Sequence, residues 1–348
     1  MKVIIEVGHP AHVHLFRNAI RLFEDRGHRV KIVARDKDVT LCLLEQYGLQ
    51  YESISIQKRG MMRLAMEVLQ REWHLLRIAK EFQPDVFLSF SMCSAHVAGL
   101  LRKVSIIFDD TEHASLNRAG WLPFATVICT PSAYKIDLGP KQVRYDGYHE
   151  LAYLHPTWFT PSPQVLAKAG LEETDTYFVV RFVSWEAAHD VRQHGFTREG
   201  KYRLVAELQK MGRVIITSES PLPPDLEPHR MPVSHAELHD LLAFSTLYIG
   251  EGGTLASEAV VLGVPAIFVN TLSMGYLEEQ QNKYGMMLIT ADENVGIEQA
   301  LAWGSDPNIK QKWQAKRQKL LADKVDVSVW MAGFVEQFLQ SGNTSNAS

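Results

Sequence analysis

Short apolar runs alternate with amphipathic stretches along most of the chain. The run "KVIIEV" at residues 2–7 has the continuous apolar character of a strand buried on both faces of a parallel sheet. After it, "LFRNAIRLFEDRG" sets Leu15, Ala19, Ile20 and Phe23 at helical spacing, with Gly27 placed as a terminator. The same rhythm continues with "RVKIVAR" and the helix "TLCLLEQYG", "YESISI" and a long helix from about Met61 to Phe82, and "DVFLSF" and "SAHVAGLLR". It closes with "SIIF", a polar loop and "ATVICT". Alternating strands and helices predict a parallel, doubly wound sheet with right-handed crossovers. From about Tyr148 to Pro163 the rhythm breaks into "YHELAYLHPTWFTPSP", and a second alternation then begins: "YFVVRFVSW", "YRLVAELQKMG", "VIITSES", "HAELHDLLAFS", "LYIG", "LASEAVVLG" and "PAIFVN". The expectation is an α/β protein of two Rossmann-like domains facing one another across a cleft, residues 1–150 and 151–325. A helix at 326–340 is free to dock on either, and a disordered tail follows at 341–348.

Composition narrows the function. The chain has 348 residues, 46% hydrophobic and 22% charged, which is the profile of a globular protein with enough apolar mass for two cores. A net charge of -4 gives no positive field for nucleic acid, so a small-molecule partner is expected. Cys42, Cys93 and Cys129 are few, odd in number and set in apolar surroundings, as reduced thiols in the cytoplasm would be. No signal-peptide pattern and no apolar run of membrane-spanning length is present, so any membrane contact is expected to be peripheral.

Two stretches carry chemistry. In "EVGHPAHVHLF", residues 6–16, His9, His12 and His14 fall in the loop after the first strand, at the sheet end where such folds bind ligands. A metal site, a proton-transfer site and a merely histidine-rich loop all fit this spacing. In "YIGEGGTLASEAVVLGVPAIFV", residues 248–269, a strand ends at Gly250, Gly252 and Gly253 allow a tight turn, and a helix starts near Thr254 with free N–H groups suited to phosphate. Glu258 falls about one turn in, within reach of ribose hydroxyls, and Gly263 closes the helix. A glycine turn of this kind also occurs in ordinary β-α-β units.

The second stretch resembles the nucleotide-binding motif of GT-B glycosyltransferases, especially those that add N-acetylglucosamine to the peptidoglycan lipid intermediate, and more loosely the non-hydrolysing UDP-N-acetylglucosamine 2-epimerases. The set "GHPAHVHLFRN", "DDTEHA", "YDGYHELAYLHP" and "RFVSWEAAHD" resembles a bacterial and archaeal family known as domain of unknown function 354. The GT-B resemblance implies that Gly252, Gly253 and Thr254 approach a diphosphate and that Glu258 holds the ribose. Gln280 and Gln281 in "EEQQNKYG" would bind sugar hydroxyls. Glu251 departs from the pattern, because a carboxylate beside a diphosphate repels it unless turned to sugar hydroxyls or a cation. Arg181, at a strand end, is a candidate for the phosphate oxygens, with His189 and Asp190 near it; the alternative for that segment is a surface held by Trp185.

The resemblance also places His12 where inverting transferases carry a histidine facing the donor, as general base. A carboxylate from "FDDTEH", Asp109, Asp110 or Glu112, would orient it, while His9 and His14 position or support. The alternative for His12 is a first-turn helix residue bonded locally. A zinc site built from "HPAHVH" with Asp109 or Asp110 is the competing chemistry; the loop has no carboxylate of its own and GT-B transfer needs no metal, so none is expected. "QKRGMMRL", residues 57–64, joins cations to methionines and suits either an anionic membrane surface or a solvated loop.

These features converge on a GT-B enzyme that takes a nucleotide sugar, with UDP as the expected carrier, as donor substrate and needs no tightly bound cofactor. It would pass the sugar to a glycan or lipid-linked acceptor in cell-envelope or surface glycan synthesis. An epimerase is the first alternative, weakened because "PDVFLSFSMC" has Met92 where the epimerases have an aspartate and "RFVSWE" lacks their histidine. An inactive sugar-nucleotide-binding protein is the second.

Overall fold

The computed structural model of the protein describes residues 1–37, 39–56, 61–183, 195–218 and 221–344. The chain divides into two compact units, the first formed by Met1–Tyr153 together with the chain from Lys324 onward, the second by Leu154–Asp323.

In the first unit seven strands alternate with helices: β1 (Lys2–Val7), α1 (Pro10–Asp25), β2 (Arg29–Asp36), α2 (Thr40–Gln46), β3 (Tyr51–Ile56), α3 (Met61–Phe82), β4 (Val86–Ser89), α4 (Met92–Leu101), β5 (Val104–Phe108), α5 (Ser115–Trp121), β6 (Val127–Pro131) and β7 (Gln142–Tyr145), then a short α6 (Leu151–Leu154). All strands are parallel in the order β3-β2-β1-β4-β5-β6-β7. The order reverses between β1 and β4, so the carboxyl ends of these two strands border the switch point where such sheets take ligands. Every residue of β1 from Val3 to Val7 is buried, as its apolar run requires, and Ile4 packs with Val33, Phe87, Leu75 and Val97 from its neighbours, α3 and α4.

Glu6 breaks that apolar run with a charge. Its carboxylate accepts from Arg71 of α3 and from Ser94 Oγ of α4, while Arg71 also donates to Ser91 Oγ at 3.1 Å. Nearby, Arg35 of β2 binds Glu67 of α3 through two hydrogen bonds of 2.6 and 2.9 Å. Buried charges need such partners, because desolvation without them costs several kcal/mol per ion, of the order of 3–5 kcal/mol when one partner is removed.

The second unit holds α7 (Gln164–Lys168), β8 (Tyr177–Phe182), α8 (Arg198–Gln209), β9 (Arg213–Ser218), α9 (Leu238–Phe244), β10 (Leu247–Gly250), α10 (Gly253–Leu262), β11 (Ala266–Val269), α11 (Gly275–Asn282), β12 (Met287–Thr290), α12 (Glu293–Gly304) and α13 (Ile309–Asp323). Its five parallel strands run in the order β12-β11-β10-β8-β9. Val180, Ile249, Ile267, Leu204 and Ile297 lie in its core. At the end of α10, Gly263 adopts φ +80° and closes the helix, a conformation that favours glycine.

Four elements extend the sequence expectation. The edge strands β7 and β12 are short, and each has only one fully buried residue, so neither shows a strand's apolar run. The expected polar loop after β5 contains α5. The last helix, α14 (Val327–Thr344), runs four residues past Gln340 and so enters the segment expected as tail. It joins the first unit: Ser328 Oγ donates to the Ala152 carbonyl at 2.7 Å, and Glu336 accepts from Arg26 and pairs with His28.

Candidate functional site

Chemistry-bearing side chains gather at the carboxyl ends of the strands in each unit. In the first unit the three histidines do not share a loop, because α1 begins at Pro10 and takes two of them into its first turns. His9 is the N-cap, its Nδ1 accepting from the Ala11 N–H at 3.2 Å. His14 is buried, stacked on Tyr153 and bonded to the Tyr47 hydroxyl. His12 is half-buried, and its Nδ1 accepts from the Gly8 N–H at 3.2 Å while its ring stacks on Phe90 at 4.1 Å. Burial, with the neighbouring His9 next in weight, holds the pKa of His12 well below the usual histidine value. Its neutral ring carries the hydrogen on Nε2, since Nδ1 is the acceptor.

The carboxylates expected to orient His12 are bonded elsewhere. Asp109 accepts from the Tyr134 hydroxyl at 2.6 Å and the Thr111 N–H at 3.2 Å. Burial pushes its pKa up to about 6, against the Tyr134 hydrogen bond and with the help of Asp110. Asp110 pairs with Nδ1 of His149 at 2.9 Å. Burial opposes charge on both partners, but their mutual attraction outweighs it, raising the pKa of His149 and lowering that of Asp110. The Nε2 of His149 is buried without a hydrogen-bond partner, and so is the hydroxyl of Tyr145, whose ring lies nearly parallel to the imidazole. Phe90 presents one face to His12 and contacts His149 at 5.4 Å in a T-shaped arrangement. Glu112 accepts from the Lys135 N–H at the surface.

In the second unit β10 delivers the chain to the glycine turn. Gly252 is the N-cap of α10 with no side-chain cap, and Gly252, Gly253 and Thr254 leave this helix end open to solvent. A Cβ on Gly252 would stand 3.0 Å from Cδ of Arg181, so the arginine lies directly against the turn; its Nη1 donates to Thr217 Oγ1 at 3.1 Å. The pKa of His235 is lowered by burial and then by the charge of Arg181. An open helix N-terminus beside a guanidinium is suited to an anion. Glu258, 5% exposed, pairs with Nε2 of His239 at 2.9 Å.

The side chains expected to contact sugar are turned inward. Glu251 accepts from the Val183 N–H at 2.8 Å and the Phe196 N–H at 2.9 Å and pairs with Lys201 at 3.2 Å. Its charge is thereby met by a buried cation and two backbone donors. Gln280 is fully buried, its Nε2 donating to Ser257 Oγ at 2.7 Å and its Oε1 without a partner. Gln281 accepts from the Ile289 N–H at 2.6 Å. Trp185, His189, Asp190 and residues 57–60 lie outside the described residues. Among the described residues no three His, Cys, Asp or Glu side chains converge as metal ligands would.

His149 and His239 are the residues that sequence reasoning passed over. The stretch "YDGYHELAYLHP" carried the signal for His149, which follows β7 at the same carboxyl-end side of the sheet as His12.

The chain matches, over residues 1–329, the family described as "Protein of unknown function (DUF354)". An uncharacterized protein of Methanocaldococcus jannaschii is 23% identical over 284 residues, 77% of this chain and 81% of that protein. Solved structures similar in fold include the UDP-GlcNAc 2-epimerase of Neisseria meningitidis bound to UDP-GlcNAc, with TM-score 0.70, 12% identity and coverage of 97% of this chain and 100% of that one. The spinosyn forosaminyltransferase gives TM-score 0.67 at 14% identity, covering 98% and 99%. A glycosyltransferase of Streptomyces sp. SF2575 gives TM-score 0.62 at 13% identity, covering 97% and 99%. The fold is GT-B, and it is shared by epimerases and transferases alike.

Proposed function

The chain belongs to the DUF354 family, and since that description carries no activity, we propose from the site itself that the protein is a nucleotide-sugar-dependent glycosyltransferase. One observation carries this reading: the uncapped N-terminus of α10, with Arg181 against its glycine turn and Glu258 one turn further in. A nucleoside diphosphate matches it part by part. The diphosphate oxygens take the N–H groups of Gly253 and Thr254 and the charge of Arg181. The ribose hydroxyls donate to the Glu258 carboxylate, which His239 holds in place. UDP-GlcNAc, the ligand of the Neisseria epimerase, has these parts. Glu251, Gln280 and Gln281 support the walls of the site through the bonds described above; Gln280 reaches a sugar only if the bound ligand draws it out.

Transfer is favoured over epimerisation by the first unit. Met92 opens α4, Asp109 is held by Tyr134 and Asp110 by His149, so the acidic groups are committed to partners instead of standing ready at both faces of a sugar ring. An imidazole of this unit supplies the single proton acceptor that transfer requires. The acceptor is a glycan or lipid-linked hydroxyl. A peripheral membrane contact is supported by α3, where Met66, Leu69 and Trp73 are each more than half exposed and the exposed charges are Arg63, Arg77, Lys80 and the acidic Glu81. No helix among the described residues is long and apolar enough to cross a membrane.

Calorimetry with UDP tests the donor site. Wild-type protein should bind, and Glu258→Ala should lose about 1–3 kcal/mol, the value of a charge-assisted hydrogen bond; equal affinity in the two proteins removes Glu258 from the site, and no binding at all removes the reading. Proton NMR of UDP-N-acetylglucosamine with the enzyme in deuterated water should show no label at C2. Deuterium there without an acceptor would make the protein an epimerase.

A further inference from the structure

His12 and His149 both contact the Phe90 ring, and their four ring nitrogens are not equivalent. Nδ1 of His12 is occupied by the Gly8 N–H, so its neutral ring offers an N–H at Nε2 and no lone pair there. To accept a proton at Nε2 it would have to change tautomer and give up the backbone bond. His149 is arranged the other way. Asp110 takes the hydrogen on Nδ1, which leaves the lone pair on Nε2, and that atom is buried with no partner. A buried polar atom left unpaired costs about 1–3 kcal/mol, so its persistence calls for a ligand atom or water at that position. The Tyr145 hydroxyl, also unpaired, belongs to the ring stacked with that imidazole.

We propose that His149, held by Asp110, is the proton acceptor of the reaction, receiving the proton at Nε2 directly or through one water, and that His12 is a neutral hydrogen-bond donor. Asp110 is then a positioning residue. The inference rests on the transferase reading. As the acceptor oxygen bonds the anomeric carbon, its O–H bond breaks and the proton forms an N–H bond at Nε2. The electron pair of the old glycosidic C–O bond leaves with the nucleoside diphosphate, and solvent later takes the proton from the imidazolium. The groups facing His149 are suited to that charge: Asp110, Glu150 and Asp109 favour it, against burial and the neighbouring His12. Tyr145 adds no charge, because burial holds its hydroxyl protonated.

The first test needs no acceptor. In protein labelled with ¹⁵N-histidine, with His12→Gln and His149→Gln assigning the signals, His149 should carry its hydrogen on Nδ1 and titrate above the usual histidine range, and Asp110→Asn should bring that titration down. His12 should remain an Nε2–H tautomer. A His149 with its hydrogen on Nε2, or a His12 that titrates the higher of the two, overturns the assignment. The second test measures release of UDP from UDP-N-acetylglucosamine with water as acceptor, beside UDP affinity by calorimetry. His149→Gln should slow release about 100-fold with affinity changed by less than about twofold, as loss of a general base does. Asp110→Asn should shift the acidic limb of the rate profile to lower pH, which a merely structural role would not do. Release that survives His149→Gln and is lost in His12→Gln overturns the proposal. Wild-type protein that binds no UDP instead defeats the transferase reading, and the tautomer spectrum still decides the assignment.

Discussion

Asp109 keeps its proton well above the pH at which a free aspartate loses it, because β5 ends inside the unit and leaves this carboxyl away from water, with the Tyr134 hydroxyl as its main donor. Its pKa rises from 3.8 to about 6, so between those values the folded state holds a proton that the unfolded chain has lost. Stability should therefore fall as pH rises from about 4 to about 6, by roughly 2–3 kcal/mol for a shift of this size. Asp109→Asn keeps an acceptor for Tyr134 without the charge, and its denaturation midpoint should be flat across that window and exceed the wild-type value at neutral pH. A wild-type midpoint that does not fall between pH 4 and 6 would show that the carboxyl ionises freely. None of this was visible in "FDDTEH", where two neighbouring aspartates look alike. What separates them is the partner each meets, Tyr134 at 25 positions and His149 at 39, and one-dimensional spacing carries no trace of either. Glu6 taught the same lesson from within an apolar run, since its partner Arg71 is 65 residues away.

At the scale of elements, local chemistry was legible. Gly252, Gly253 and Gly263 mark the start and stop of α10, because a turn and a left-handed cap are set by the residues at those positions. The long helix α3 was also read to its ends, yet its two faces were not distinguished. Its inward face supplies Glu67, Arg71 and Leu75, whereas Met66, Leu69 and Trp73 recur at helical spacing on the outside, where an isolated unit would place polar groups. Centrifugation with vesicles should detect this face: binding to vesicles containing phosphatidylglycerol, weaker binding to pure phosphatidylcholine, and a loss of about 1–2 kcal/mol when Trp73 and Leu69 are replaced by serine, given the apolar area they expose. Equal recovery with both vesicle types, unaffected by the substitutions, would remove the membrane from the reading. The edge strands β7 and β12 escaped detection for the opposite reason, having too few buried positions to leave a pattern.

The two-unit layout follows from the two alternations of strand and helix, but its closure does not. The chain leaves the first unit after Tyr153, builds the second, and returns at Lys324. Lys324 is buried beneath the Tyr148 ring with Nζ on Asp146 at 2.6 Å, Val325 N–H donates to the Asp146 carbonyl, and Trp330 packs on Tyr145 at 4.5 Å. The returning segment thus braces the three residues that lead from β7 to His149. A chain ending at Asp323 should keep the second unit resistant to limited proteolysis while the first is cut near residues 142–153; equal resistance in both would show that the brace is dispensable. On the ribosome this layout imposes a schedule. The strands β1 to β7 are made well before the returning segment that begins at Lys324, whereas the second unit is one continuous segment made between them. The contacts of Lys324 and Val325 with the segment before His149 can therefore form only after Lys324 has been made.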